Sequence, residues 1–229
     1  MSDCKIADSH LLEYWKEIWG KWPKEFSRAM WQESSWRQPF ELLSAALIYS
    51  YNGFIKFPEC RLHLPIRPAS DWDSVWRSAL SSRRPPSFKS QEGQELFATM
   101  HFASSSFRIC TALSLITKHV TEHVRGPLTP FLKPDGSDWK RSELKIYLKR
   151  ASSLGCCRTS KTAVCNQIAL AMIVAHRDEF GHGEEGQGDE WRKMRGEYFR
   201  ALHPCRIFQA QLLLIDLGRC ELDKIAKSE

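Results

Sequence analysis

Apolar positions recur at helical spacing along almost the whole chain. HLLEYWKEIWG carries them at 11, 12, 15, 18 and 19, one face of a helix, and Ser9 stands where a hydroxyl would cap the first free amides. The pattern predicts a second helix over PKEFSRAMWQESSW, with Pro23 in its first turn, and a third over PFELLSAALIYSY, stopped at Asn52-Gly53. DWDSVWRSALSS predicts a short helix capped by Ser70, with Asp73 three residues on. A long helix is predicted from Gln91 to Val124, with Leu96, Met100, Phe107, Cys110, Leu113, Val120 and Val124 forming one stripe. DWKRSELKIYLKRA, DEWRKMRGEYFRAL and PCRIFQAQLLLIDLGRC supply three more amphipathic segments. KTAVCNQIALAMIVAHRDEF is apolar nearly all round, which predicts a place at the centre of a bundle.

Breaks in this pattern set the organisation. FPECRLHLPIRPAS holds three prolines and reads as extended or irregular; a strand of period two within 54–68 is the alternative. SSRRPPSFKSQEG, with paired prolines and a glycine, is the best candidate boundary. No hairpin signal or internal repeat interrupts the helices. The predicted architecture is all-α: a helical bundle over 91–222, a Trp-rich helical region over 1–85 before it and a tail over 223–229. Trp15, Trp19, Trp22, Trp31 and Trp36 are expected mostly in the core, and any left exposed would mark a partner surface.

Composition narrows the class. No run reaches the roughly 18 to 20 apolar residues of a membrane span, so no membrane partner is expected. The start, MSDCKIADSH, lacks the basic-then-apolar order of a signal peptide, and a cytoplasmic location is expected. In a reducing compartment the eight cysteines would be free thiols. Their spacing does not suit zinc: Cys156 and Cys157 are adjacent, Cys165 follows eight later, and no pair is separated by two residues. Cys110, Cys165 and Cys220 read as small packing residues. No metal or cofactor is expected. A net charge of +6, from 33 basic and 27 acidic residues, permits contact with a polyanion; an ordinary basic surface accounts for it equally.

The chemistry-bearing stretch is HRDEFGHG, residues 176–183, at the end of the most apolar segment. The plain structural account is that His176, Arg177 and His182 favour a helix C-terminus, where cations are worth roughly 0.3 to 1 kcal/mol, and that Gly181 and Gly183 end it. The functional account uses spacing. Asp178 and His182 are four apart, so one turn brings them to one face, and a carboxylate beside an imidazole raises its pKa and orients the ring. Arg177 adds a fixed positive fork suited to a phosphodiester. The imidazole would handle a proton near neutral pH.

Arg177-Asp178-Glu179-Phe180-Gly181-His182, an Arg and a His separated by four residues at the end of a buried bundle helix, resembles the motif of the HEPN superfamily. The resemblance covers 91–222 and implies a four- or five-helix bundle that cleaves RNA without a metal. It implies attack by a 2′-hydroxyl on the adjacent phosphate, leaving a cyclic phosphate end. It also implies a homodimer whose two motifs line one cleft, with Arg177, Asp178 and His182 catalytic. Such proteins are commonly toxins or phage-defence effectors, which implies an antitoxin or regulatory partner. Many members keep the bundle and lose the chemistry.

Other signals compete or assist. His119-Val120-Thr121-Glu122-His123 has the H-x-x-E-H order of inverted zinc peptidases, with two ligands one turn apart, but nothing points to a third ligand. Arg192, Lys193 and Arg195, close after the motif and interleaved with aromatics, are the candidate RNA contacts. The same residues also suit the outer face of an ordinary amphipathic helix. Beside the ribonuclease stands a non-catalytic module that dimerises or binds a partner through the Trp-rich segment.

Overall fold

The computed structural model describes residues 2–25, 37–56, 77, 81, 89–123, 146, 163–181 and 204–228. Its described helices are α1 (Ser2–Glu25), α2 (Arg37–Lys56), α3 (Gln91–His123), α4 (Ala163–Gly181) and α5 (Pro204–Ser228). Side chains along them are described for 9–22, 37–56, 91–117, 165–177 and 204–225. Among the described residues there is no strand, and the all-α bundle is the fold.

Local sequence explains most of the boundaries. Ser90 caps α3: its hydroxyl accepts from the Gly93 amide at 3.1 Å and its carbonyl from Gln94 at 3.0 Å. Pro204 opens α5, where its missing amide costs nothing. Three expected ends are corrected. α1 runs unbroken through Ser9 and Pro23, so the first two predicted helices do not divide at either residue. α2 does not stop at Gly53; the helix continues to Lys56. α5 runs past the predicted tail start to Ser228, because Leu222 and Ile225 continue its buried face.

α5 packs substantially against all four other described helices, whereas α4, which the sequence placed at the centre, packs mainly against two. The α5 run Leu212-Leu213-Leu214-Ile215 is almost wholly buried, with Ile207, Phe208, Leu217, Leu222 and Ile225 on either side. α4 packs chiefly against α3 and α5. α1 and α2 precede the candidate boundary at 81–93, yet Leu11, Ile18, Leu43 and Leu47 share one core cluster with Phe102, Ile116, Met172 and Phe208.

The most extensive contact joins α2 and α3. Small residues allow it. Ala46, Ser50 and Gly53 meet Ala98, Phe102 and Ser105, and a Cβ on Gly53 would lie 3.1 Å from the Phe102 ring and 3.2 Å from the Ala98 carbonyl. Here the glycine serves close approach rather than termination. The predicted α3 stripe holds at Leu96, Cys110 and Leu113, which are buried, and is corrected at two positions. Met100 and Phe107 face outward, while Ala98, Phe102, Ile109, Ala112 and Ile116 are buried. α3 is covered by α2 on one flank and by α4 and α5 on another, so its buried arc is wider than a single stripe and turned away from Met100.

Of the tryptophans, Trp22 is buried on the Phe40 ring and donates to the Ser44 hydroxyl, Trp15 is half-buried, and Trp19 is exposed. Trp31 and Trp36 lie outside the described residues.

Candidate active site

α4 is buried around most of its circumference. Its half-exposed side is Leu170, Val174 and Arg177, spaced i, i+4, i+7 along one stripe. Arg177 thus leaves the helix on the side least covered, one turn before the end at Gly181. Asp178 is within the same helical turn, but its side chain lies outside the description. His182 follows the last described helical residue in sequence and lies outside the described residues, as do Arg192, Lys193 and Arg195. The structure therefore locates the arginine of the motif and the backbone of Asp178.

His176, one residue before Arg177, points the other way. It is fully buried, and its Nδ1 lies 2.8 Å from the Ser106 hydroxyl on α3. Gln211 of α5 donates to the same hydroxyl at 3.0 Å and to the Phe102 carbonyl at 2.9 Å. Burial lowers the imidazole's pKa to about 3, so it is neutral at ordinary pH. Ser106 accepts from Gln211 and pairs with Nδ1, its hydroxyl being able either to donate to the ring nitrogen or to accept from it through the second lone pair. The expectation that His176 serves the helix C-terminus as a cation is corrected: it is a neutral core group.

Ser105, next along α3, faces α2. It donates to the Ala46 carbonyl at 3.0 Å and lies 2.6 Å from the Ser50 hydroxyl. With the Ser105 proton on Ala46, Ser50 is the donor in that pair. The two serines of FASSSF thereby tie α3 to α2 on one side and to α4 and α5 on the other. Sequence reasoning passed over this hub. The available signals were three consecutive serines inside an apolar helix and the register Ile168, Met172, His176, which puts the imidazole on a core face.

A second polar-aromatic cluster sits on the α2–α3 surface. The Arg108 guanidinium lies over the Tyr49 ring at 4.4 Å from its centroid, and His101 packs against both Tyr49 and Phe97. Burial lowers the pKa of His101. His119, Glu122 and His123 are helical in the last turns of α3, with side chains outside the description; among the described residues no group of three metal-ligating side chains occurs. Cys110, Cys165, Cys205 and Cys220 are free thiols. No described helix is long and apolar enough to cross a membrane.

No family model, curated protein or solved structure matches the chain.

Proposed function

We propose that the chain is a metal-independent endoribonuclease of HEPN type, active as a homodimer in the cytoplasm. The observation that supports this reading is Arg177 itself: an arginine on the half-exposed side of an otherwise buried helix, one turn before its last described residue, with His182 next in the sequence. A guanidinium is more weakly hydrated than an ammonium, and its planar fork matches phosphate oxygens.

In this reading a 2′-hydroxyl attacks the adjacent phosphorus, the P–O5′ bond breaks, and a 2′,3′-cyclic phosphate and a 5′-hydroxyl result. Arg177 stabilises charge on the non-bridging oxygens. His182 moves the proton, and Asp178 positions one of them. Arg192, Lys193 and Arg195 hold the RNA backbone. An antitoxin or regulatory partner would keep such an enzyme silent, as befits a toxin or phage-defence effector.

The test is cleavage of RNA by purified protein in chelator, with a cyclic phosphate at the new end. Arg177→Ala and His182→Ala should each lower the rate by roughly 10²- to 10⁴-fold. A His182→Ala protein that retains more than about a tenth of the activity removes the assigned role.

A second reading, a non-catalytic interaction module, draws on a different observation. Trp19, Ile48 and Ile55 are exposed. Trp15 stacks on Trp19 at 5.6 Å and on Tyr51 at 4.4 Å, so these side chains make one face across α1 and α2. Loss of self-association or partner binding on Trp19→Ala, with no cleavage by wild type, would favour it.

A further inference from the structure

We infer that His176 is a positioning residue for Arg177, holding the last turns of α4 in one rotation through its contact with Ser106. The inference rests on the ribonuclease reading for its consequence, but its geometry stands alone. His176 is the residue immediately before Arg177, so any rotation of α4 that moves one moves the other.

The tether crosses three helices. His176 Nδ1 meets Ser106 of α3 at 2.8 Å, and Gln211 of α5 fixes that hydroxyl while also bonding the Phe102 carbonyl, four residues earlier on α3. All three side chains are fully buried. Apolar packing is non-directional: Met172 and Ile168, one and two turns earlier, would tolerate α4 turning or sliding by a fraction of a residue. A buried hydrogen bond does not, since leaving its groups unpaired carries the whole desolvation penalty. The polar contact thus occurs at the position where an error of rotation would displace the guanidinium most directly. A reacting phosphate tolerates little such error, because misplacement by about 1 Å can cost on the order of 10²-fold in rate. Arg177 has the half-exposed stripe, and His176 the buried anchor, within the same turn.

The test compares wild type with Ser106→Ala, His176→Leu and the conservative His176→Gln, which keeps a group able to reach Ser106. Two readouts are needed: amide hydrogen exchange along α4 and cleavage kinetics. In Ser106→Ala and His176→Leu, amides of 177–181 should exchange at least about tenfold faster relative to those of 167–172. kcat should fall by about 10- to 100-fold with KM little changed, and His176→Gln should recover part of both. Should Ser106→Ala fail to fold, Gln211→Met removes the two outer bonds and should give the same pattern in weaker form. Unchanged exchange at 177–181 overturns the tether, whatever the activity. Faster exchange with unaltered kcat overturns the positioning role. A wild type that cuts no RNA overturns the ribonuclease reading and with it that role, while the exchange measurement still decides the tether.

Discussion

Tyr14 and Asp216, 202 positions apart in the chain, meet through a buried hydrogen bond of 3.1 Å from the phenol to the carboxylate. Arg219, one turn along α5, closes on the other carboxylate oxygen at 3.0 and 3.2 Å. The cluster pins α1 to the central helix at a point where all three side chains are buried. Tyr14→Phe should therefore cost about 2 kcal/mol, the range for a hydrogen bond to a charged group. Arg219→Ala should cost more, about 3 to 5 kcal/mol, because Asp216 is left as a buried charge without its cation. Urea unfolding of the two variants checks both values; an Arg219→Ala protein no less stable than Tyr14→Phe would contradict the order.

Two glycines should respond oppositely to the same substitution. At Gly53 a methyl group would press on the root of the Phe102 ring and on the Ala98 carbonyl, neither of which can swing aside. Overpacking of this kind costs about 1 to 3 kcal/mol and outweighs the gain of about 1 kcal/mol from alanine's helix propensity. At Gly20 nothing lies within 4 Å of the added carbon, so only the propensity gain remains. Gly53→Ala should lower Tm and Gly20→Ala should raise it, as thermal unfolding followed by circular dichroism can show.

Gly53 also marks where the sequence was and was not legible. Periodicity found α3 within a residue at each end, and α4 within two, because long runs of i, i+3 and i+4 spacing override local noise. It failed where one residue type serves two physical purposes. Asn52-Gly53 looks like a stop, and only the approach of α3 reveals that the glycine makes room for Phe102. Pro23 looks like a start, yet a helix already under way carries it. At the candidate site the arginine was legible, since a cation at the end of an apolar segment stands out. The inward turn of its neighbour was not: an imidazole beside an arginine reads as a second surface charge, and the Ser106 partner is 70 residues away.

The tryptophans of α1 should separate by burial rather than by spacing. Trp22 lies in the core against Phe40 and is hydrogen-bonded to Ser44, so Trp22→Ala should cost about 3 to 5 kcal/mol. Trp19, 43% exposed and stacked only on Trp15 among the described rings, should cost about 1 kcal/mol or less on removal. Chemical denaturation of both alanine variants decides it, and a large loss at Trp19 would mean that this face is covered in the native protein.

Two buried titrating groups should bound the pH range of greatest stability. His176 takes a proton near pH 6.5 when unfolded, but burial holds it off until about pH 3 in the fold. Between those values the unfolded chain binds the extra proton, so the fold loses stability as pH falls, by at most about 1.4 kcal/mol per pH unit from this one group. Tyr14 sets the other limb. Burial, with Asp216 beside it, raises its phenol above the ordinary value of 10.0, so the unfolded chain releases a proton first and stability falls as pH rises past that point. His176→Leu should flatten the acid limb and Tyr14→Phe the alkaline one, each independently of any constant offset in stability. Unfolding free energies measured from pH 4 to pH 11 give both slopes. A His176→Leu protein whose stability declines between pH 6.5 and pH 4 as steeply as wild type would mean that the imidazole is hydrated or paired with an anion in the native state.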